Sequence, residues 1–311
     1  MKTLNLFFTA GLISLVLLCA CKTNKNSMNS TSSPSDEGSS VVNITENNNR
    51  FAFDLYKNIG AKPENMLYSP YSISSALAMT YTGARGNTEK QMGAVMHFSP
   101  NSLDFNNQNN ARLKEINALN DGSTLNTYTA NSIWAQKDFK FKESFIGALK
   151  DSYLSSLHTV DFIKETEQSR LLINKWVETE TKEKIKDLIQ PGLIDYLTRM
   201  VLVNAIYFKA DWETAFDETL TKKMTFYPDE TTQVPCDFMF AERDFGFYEQ
   251  ENGLKAIEIP YSKGKMSMLV ILPKDKNGIF GITKETGPDW YNMINTSLVK
   301  TKVKLWLPKF K

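Results

Sequence analysis

At 311 residues, with 41% hydrophobic and 12% aromatic residues, the chain carries enough apolar material for a large core, in one big domain or two ordinary ones. Its 36 Lys and Arg stand against 35 Asp and Glu. That near balance leaves no one-signed field to steer it onto nucleic acid or another polyanion.

The chain opens on MKTLNLFFTAGLISLVLLCAC, with Lys2, then an apolar run from Leu4 to Leu18, then small residues ahead of a cysteine. That order is an export signal and not a fold element. Its end, Leu18-Cys19-Ala20-Cys21, resembles the bacterial lipobox, whose last cysteine becomes the diacylated first residue of the mature protein. Here that residue is Cys21. An ordinary signal peptide with incidental cysteines is the alternative, but Leu, two small residues and Cys fall together where the apolar run stops. A single acyl chain holds a protein marginally, whereas two or more retain it stably. Lys22 after the cysteine, by resemblance to lipoproteins of two-membrane bacteria, implies the outer membrane, with the domain facing the periplasm or the exterior. With Cys19 removed and Cys21 acylated, Cys236 stands alone and no intrachain disulfide forms. His97 and His158 have no Cys/His cluster around them, so no zinc site is expected and each reads as a surface or packing residue.

The expected division is a signal peptide at 1–20, a flexible tether at 21–46 and a domain at 47–311. The tether is Ser- and Asn-rich and nearly free of large apolar residues, so nothing offsets the entropy of ordering it. Its Asn43-Ile44-Thr45 triplet is expected to stay unmodified in a bacterium. The domain begins with an amphipathic helix, NNNRFAFDLYKNIG, in which Phe51, Leu55 and Ile59 recur at helical spacing before Gly60. In SPYSISSALAM, Ser69 is placed to cap a helix whose first residue is Pro70. This helix runs to Gly83, and it carries hydroxyls at Ser72, Ser74 and Ser75 where a core helix would carry bulk. Thr88 and Gln91 fit a capping box for a further short helix.

Residues 124–136, rich in Thr, Tyr, Ile and Trp, read as a strand, and 141–157 as a helix. VDF at 160–162 reads as a short strand, and 169–189 as a long helix closed by Pro191-Gly192. From Met200 to Phe208 the chain is apolar at alternate and intervening positions alike, as in a strand covered on both faces. After Lys222 come short patterned runs, MTFYP, QVPCDFM, FGFYEQ, LKAIEIPY, MSMLVILP and KVKLWLPKF, broken by Pro, Gly and Asn as in antiparallel sheets. Helices dominate early and strands late, so the class is α+β.

No catalytic frame is present: there is no Gly-x-Ser-x-Gly, no Gly-rich phosphate loop and no HExxH. Glu213, Asp217 and Glu218 read as a solvated charged face, not an acid/base pair. No histidine is framed beside the serine-rich helix, so it holds no activated nucleophile. No cofactor or metal is called for.

NMLYSPYSISSALAMTYTGARGNTEKQM, ANSIWAQ, INKWVETETKEKIKDLI, TRMVLVNAIYFKADWETAFD and the PY…SMLVILP tract together resemble the serpins, in order, over nearly all of residues 47–311. The resemblance implies a serpin fold, with N-terminal helices and large mixed and antiparallel sheets. It implies that the serine-rich helix lies beneath a central sheet whose strands part to admit another. Ser69, Pro70, Ser72 and Asn204 would then form the polar shutter below that sheet, and Trp212 would mark the breach at its top. Read without the family, the same small residues would mean tight packing alone. The resemblance stops with the chain at KVKLWLPKFK, ahead of the reactive loop and its scissile bond, and a fragment of a longer serpin is the reading preferred over a truncated gene. In its full-length form the protein is expected to be a monomeric suicide-substrate inhibitor of serine, or cysteine, proteases, and not an enzyme. The alternatives are a non-inhibitory binding protein on the same fold, or an inactive remnant.

Overall fold

The computed structural model describes residues 44–59, 66–100, 102–228, 231–275 and 278–310. The leader, Cys21, the tether up to residue 43 and Gly60 lie outside them. Among the described residues no helix is long and apolar enough to cross a membrane. The chain divides into two compact units, a continuous one of residues 70–210 and a discontinuous one drawn from 1–69 and 211–311.

In the discontinuous unit, helix α1 (Ile44–Ile59) buries Phe51, Ala52, Phe53 and Tyr56. Ile59, expected in the apolar stripe, is exposed. The buried face is set instead by Phe53, whose ring lies 6.3 Å from that of Tyr291.

The continuous unit starts with α2 (Pro70–Gly83), at the predicted boundary, and buries Ser74, Ser75, Ala78, Met79, Tyr81 and Thr82. Helix α3 (Gly86–Met96) follows, but no side chain caps it; Arg85 precedes its first turn, so the Thr88/Gln91 capping box is not used. Helix α4 (Ser102–Ala118) was not anticipated, because its asparagines are weak helix formers. Its buried Phe105, Leu113 and Ile116 supply the tertiary packing that outweighs them. Strand β1 (Leu125–Gln136) matches expectation.

Helix α5 (Glu143–Tyr153) stops short of the predicted 157, since Leu154 turns left-handed at φ 51°. Residues Ser156–Val160 become β2, parallel to β1, so the short strand lies earlier than the expected 160–162. Helix α6 (Thr166–Glu180) ends well before the predicted 189. Its periodicity gives way to side-chain capture: Thr181 Oγ1 donates to the Val177 carbonyl at 2.7 Å and accepts from Ile185 N at 3.1 Å. Strand β3 (Met200–Ala210) runs antiparallel to β1, giving a mixed sheet in the order β2-β1-β3. Both faces of β3 meet a helix, α6 through Val203 and α2 through Asn204, though the cover is partial. Only Val203 and Ala205 are buried, and β1 is its one sheet partner among the described residues.

The rest of the discontinuous unit is β4 (Lys222–Phe226), β5 (Val234–Glu249), β6 (Lys255–Pro260), β7 (Ser267–Leu272), α7 (Ile279–Glu285), α8 (Pro288–Ser297) and β8 (Val299–Pro308). The sheet order is β4-β5-β6-β7, with β8 also on β5, and every pairing is antiparallel. QVPCDFM and FGFYEQ, predicted as separate runs, belong to the single strand β5. The charges between them face solvent, where Glu242 lies 3.8 Å from both Lys302 and Lys304. Helices α7 and α8, also unforeseen, set Ile282 and Ile294 against Leu254 and Ala256. The architecture is α+β.

The core of the continuous unit gathers Trp134, Val160, Phe162, Ile173, Val177, Ile189 and Val203, which fastens α6 to the sheet. Phe162 is fully buried there. Phe162→Ala is expected to destabilise this unit by about 3–5 kcal/mol, as large cavities in cores do. Urea unfolding followed by circular dichroism checks it; a loss under about 1 kcal/mol would mean the site collapses freely.

Candidate functional site

Asn204 sits mid-strand in β3, and a half-buried amide there is unfavourable unless its two ends are bonded. Both are. Ser72 Oγ, in the first turn of α2, donates to Asn204 Oδ1. Asn204 Nδ2 donates to Asn131 Oδ1 at 2.8 Å. Asn131 is the residue directly opposite on β1, and its own Nδ2 donates to the Tyr153 carbonyl at 2.7 Å, where α5 ends. A one-way chain of donors thus runs from α2 through β3 and β1 to α5.

A second cluster lies around the Tyr153 ring. Its phenol donates to Asn106 Oδ1 at 3.1 Å, and Thr82 Oγ1 reaches the same oxygen at 3.1 Å. Burial raises the Tyr153 phenol above its ordinary range, so it stays a protonated donor. Ser69 lies just ahead of Pro70, the first residue of α2. The structure brings Ser72 and Asn204 together. Asn131, Tyr153, Asn106 and Thr82 were missed, although Asn131 in a strand of Thr, Tyr and Ile carried the same signal as Asn204.

Trp212, in the discontinuous unit, pairs with Tyr261 through an isolated antiparallel bridge, and the rings stack at 4.7 Å and 9°. Phe216 meets Trp212 edge-on at 5.9 Å. Backbone bonds from Glu213 N to Pro260 O, 3.0 Å, and from Ser262 N to Asp211 O, 2.8 Å, hold the corner. Burial pushes the Tyr261 phenol up to about 12. Arg243 lies 5.3 Å from the Phe216 ring and 5.0 Å from the Phe245 ring.

The asparagine chain contains no base beside a hydroxyl, so it moves no proton to a substrate. What it offers is a set of neutral hydrogen bonds that can exchange partners at small net cost, each worth about 1 kcal/mol. Asp217 is used locally, accepting from Thr219 N and Oγ1, which lowers its carboxyl. His97 ends α3 in a left-handed conformation. His158 stacks on Trp134 at 4.2 Å and 15°, with Ser156 Oγ 2.9 Å from its Nε2. Among the described residues no three His, Cys, Asp or Glu side chains gather where a metal ion would be held.

Comparison with known proteins comes out one way. A family model described as serpin (serine protease inhibitor) matches residues 46–311. A serpin-like protein of Methanosarcina acetivorans is 35% identical, over 100% of this chain and 72% of its own length. Leukocyte elastase inhibitor of Xenopus tropicalis is 36% identical over 87% of this chain and 73% of its own. Among solved structures, ovalbumin from emu (Dromaius novaehollandiae) superposes with a TM-score of 0.82 at 32% identity, covering 86% of this chain and 73% of that one.

Two outcomes test the geometry. Asn131→Ala and Asn204→Ala are each expected to cost about 1–3 kcal/mol by stranding a bonded partner, and the double variant less than their sum. A double-mutant cycle reads the coupling, and simple additivity would dissolve the chain into separate bonds. Burial also holds the His158 imidazole below its ordinary 6.5. Its contribution is therefore present above that value and lost as pH falls through the folded-state value. Stability should decline as the pH falls below about 6.5, and His158→Gln should flatten that slope.

Proposed function

The chain belongs to the serpin family, and from that membership we propose that the complete protein inhibits serine proteases by offering a loop that is cut and then enters the sheet beside β3. It is a substrate that traps its attacker and not an enzyme. The observation that carries this reading is the match of residues 46–311 to the serpin (serine protease inhibitor) family; the strand beside which the loop is proposed to enter is β3, eleven residues long and paired with β1.

The asparagine chain beneath supports the same reading. Strands that shift over α2 meet small hydroxyls and amides that trade partners, where interdigitated bulk would have to unpack. The inhibitor name of the Xenopus relative supports a serine protease as target. The test is to mix the complete protein with trypsin-, chymotrypsin- and elastase-like enzymes. An SDS-resistant complex is expected, with a melting temperature for the loop-cleaved form above that of the intact one. Complete cleavage with neither result would overturn inhibition and leave a binding protein on the same fold.

We also propose that Cys21 carries a diacyl anchor that holds the protein at the bacterial outer membrane. The support is the leader and its Leu18-Cys19-Ala20-Cys21 end. Expression in a lipoprotein-processing bacterium should label the protein with palmitate and place it in the membrane fraction, and Cys21→Ala should abolish both. Unchanged membrane retention by the variant would count against the anchor.

A further inference from the structure

Residues 182–188 are all exposed, between a buried Thr181 and a buried Ile189. Three of them, Lys182 (φ 52°), Glu183 (φ 60°) and Asp187 (φ 48°), are left-handed without being glycine. A left-handed backbone crowds the Cβ of any residue but glycine, so the surroundings must impose the shape.

They do so at both ends. At the far end, Asn174 Nδ2 donates to the Ile189 carbonyl at 3.0 Å while Ile189 N donates to Asn174 Oδ1 at 2.8 Å, and Arg170 Nη1 adds a bond of 2.6 Å to the same carbonyl. At the near end, Glu183 N reaches the Glu178 carbonyl at 2.7 Å and Lys184 N the Thr181 carbonyl at 3.0 Å. The left-handed turn at Lys182 carries its ammonium out of line with α6 and places it 5.8 Å from the centre of the Tyr128 ring on β1. Tyr128 is itself 6.3 Å from Tyr207, its direct partner on β3. One cation therefore bridges the excursion to an aromatic pair that spans two strands.

We propose that residues 181–189 form a strained strap, latched to the sheet by the Lys182 ammonium on the Tyr128 ring, and that loss of this charge or ring releases it. The anchors at Asn174 and Thr181 keep α6 in place when the latch opens, so release frees the strap from the already exposed Tyr128 without unfolding the helix. The proposal does not rest on protease inhibition and stands or falls separately from it.

Hydrogen exchange of the complete protein, followed by mass spectrometry on peptides spanning 182–188, tests it. Lys182→Gln and Tyr128→Leu are each expected to speed exchange there about 2- to 5-fold, the factor equivalent to the ~0.5–1 kcal/mol of an exposed cation–aromatic contact. Lys182→Arg keeps the charge in the same backbone conformation and should match the wild type. Unchanged exchange in Lys182→Gln, or equal acceleration in Lys182→Arg, would overturn the latch. So would acceleration that extends equally through residues 166–180, since that would be a general loosening of α6.

Discussion

Two amides facing each other across a strand pair organise the continuous unit. Asn131 and Asn204 occupy opposite positions in the β1/β3 register, and both point to the side where α2 lies. Leucines at both places would give a tighter core and a sheet fixed to its helix. Amides instead give bonds of modest net worth whose loss is penalised only when a partner is left unmade. That asymmetry makes the arrangement specific, because each amide is held only while its partners are in place. On α2, Ser72 reaches Asn204, and Ser74 and Ser75 are buried where a core helix would carry bulk.

Much of this was legible in the sequence where one physical rule acted alone. Pro70 after Ser69 set the start of α2, alternation marked β6, β7 and β8, and a polar residue within MVLVNAIYF flagged Asn204. The rest was hidden where two rules competed. The run 169–189, closed by Pro191-Gly192, pointed to one helix, but Asn174 and Thr181 seize backbone groups that a longer helix would have used. Helix α4 was masked by weak formers, and α7 and α8 by their shortness. The site was half visible for a similar reason: Asn131 lies in a strand with many hydroxyls and looks ordinary until its register with Asn204 is known. Tyr153 contributes its backbone carbonyl, which no sequence pattern advertises.

Trp212 shows a different kind of dependence. Its stacking on Tyr261 comes from a single bridge between segments distant in sequence, closed by Glu213 and Ser262 backbone bonds. Resemblance to a family pointed to it; spacing alone would not have done so.

Acid should act unequally on the two units. The His158 edge of the continuous unit, its imidazole held below the ordinary 6.5 by burial, takes up a proton as the medium turns acidic. The corner around Phe216 is fastened by the Arg243 guanidinium, which burial does make less basic, yet which remains charged at any pH a cell survives. Souring the medium therefore wears on the parallel strand first, while the tryptophan corner keeps its grip; the protein carries its own order of yielding.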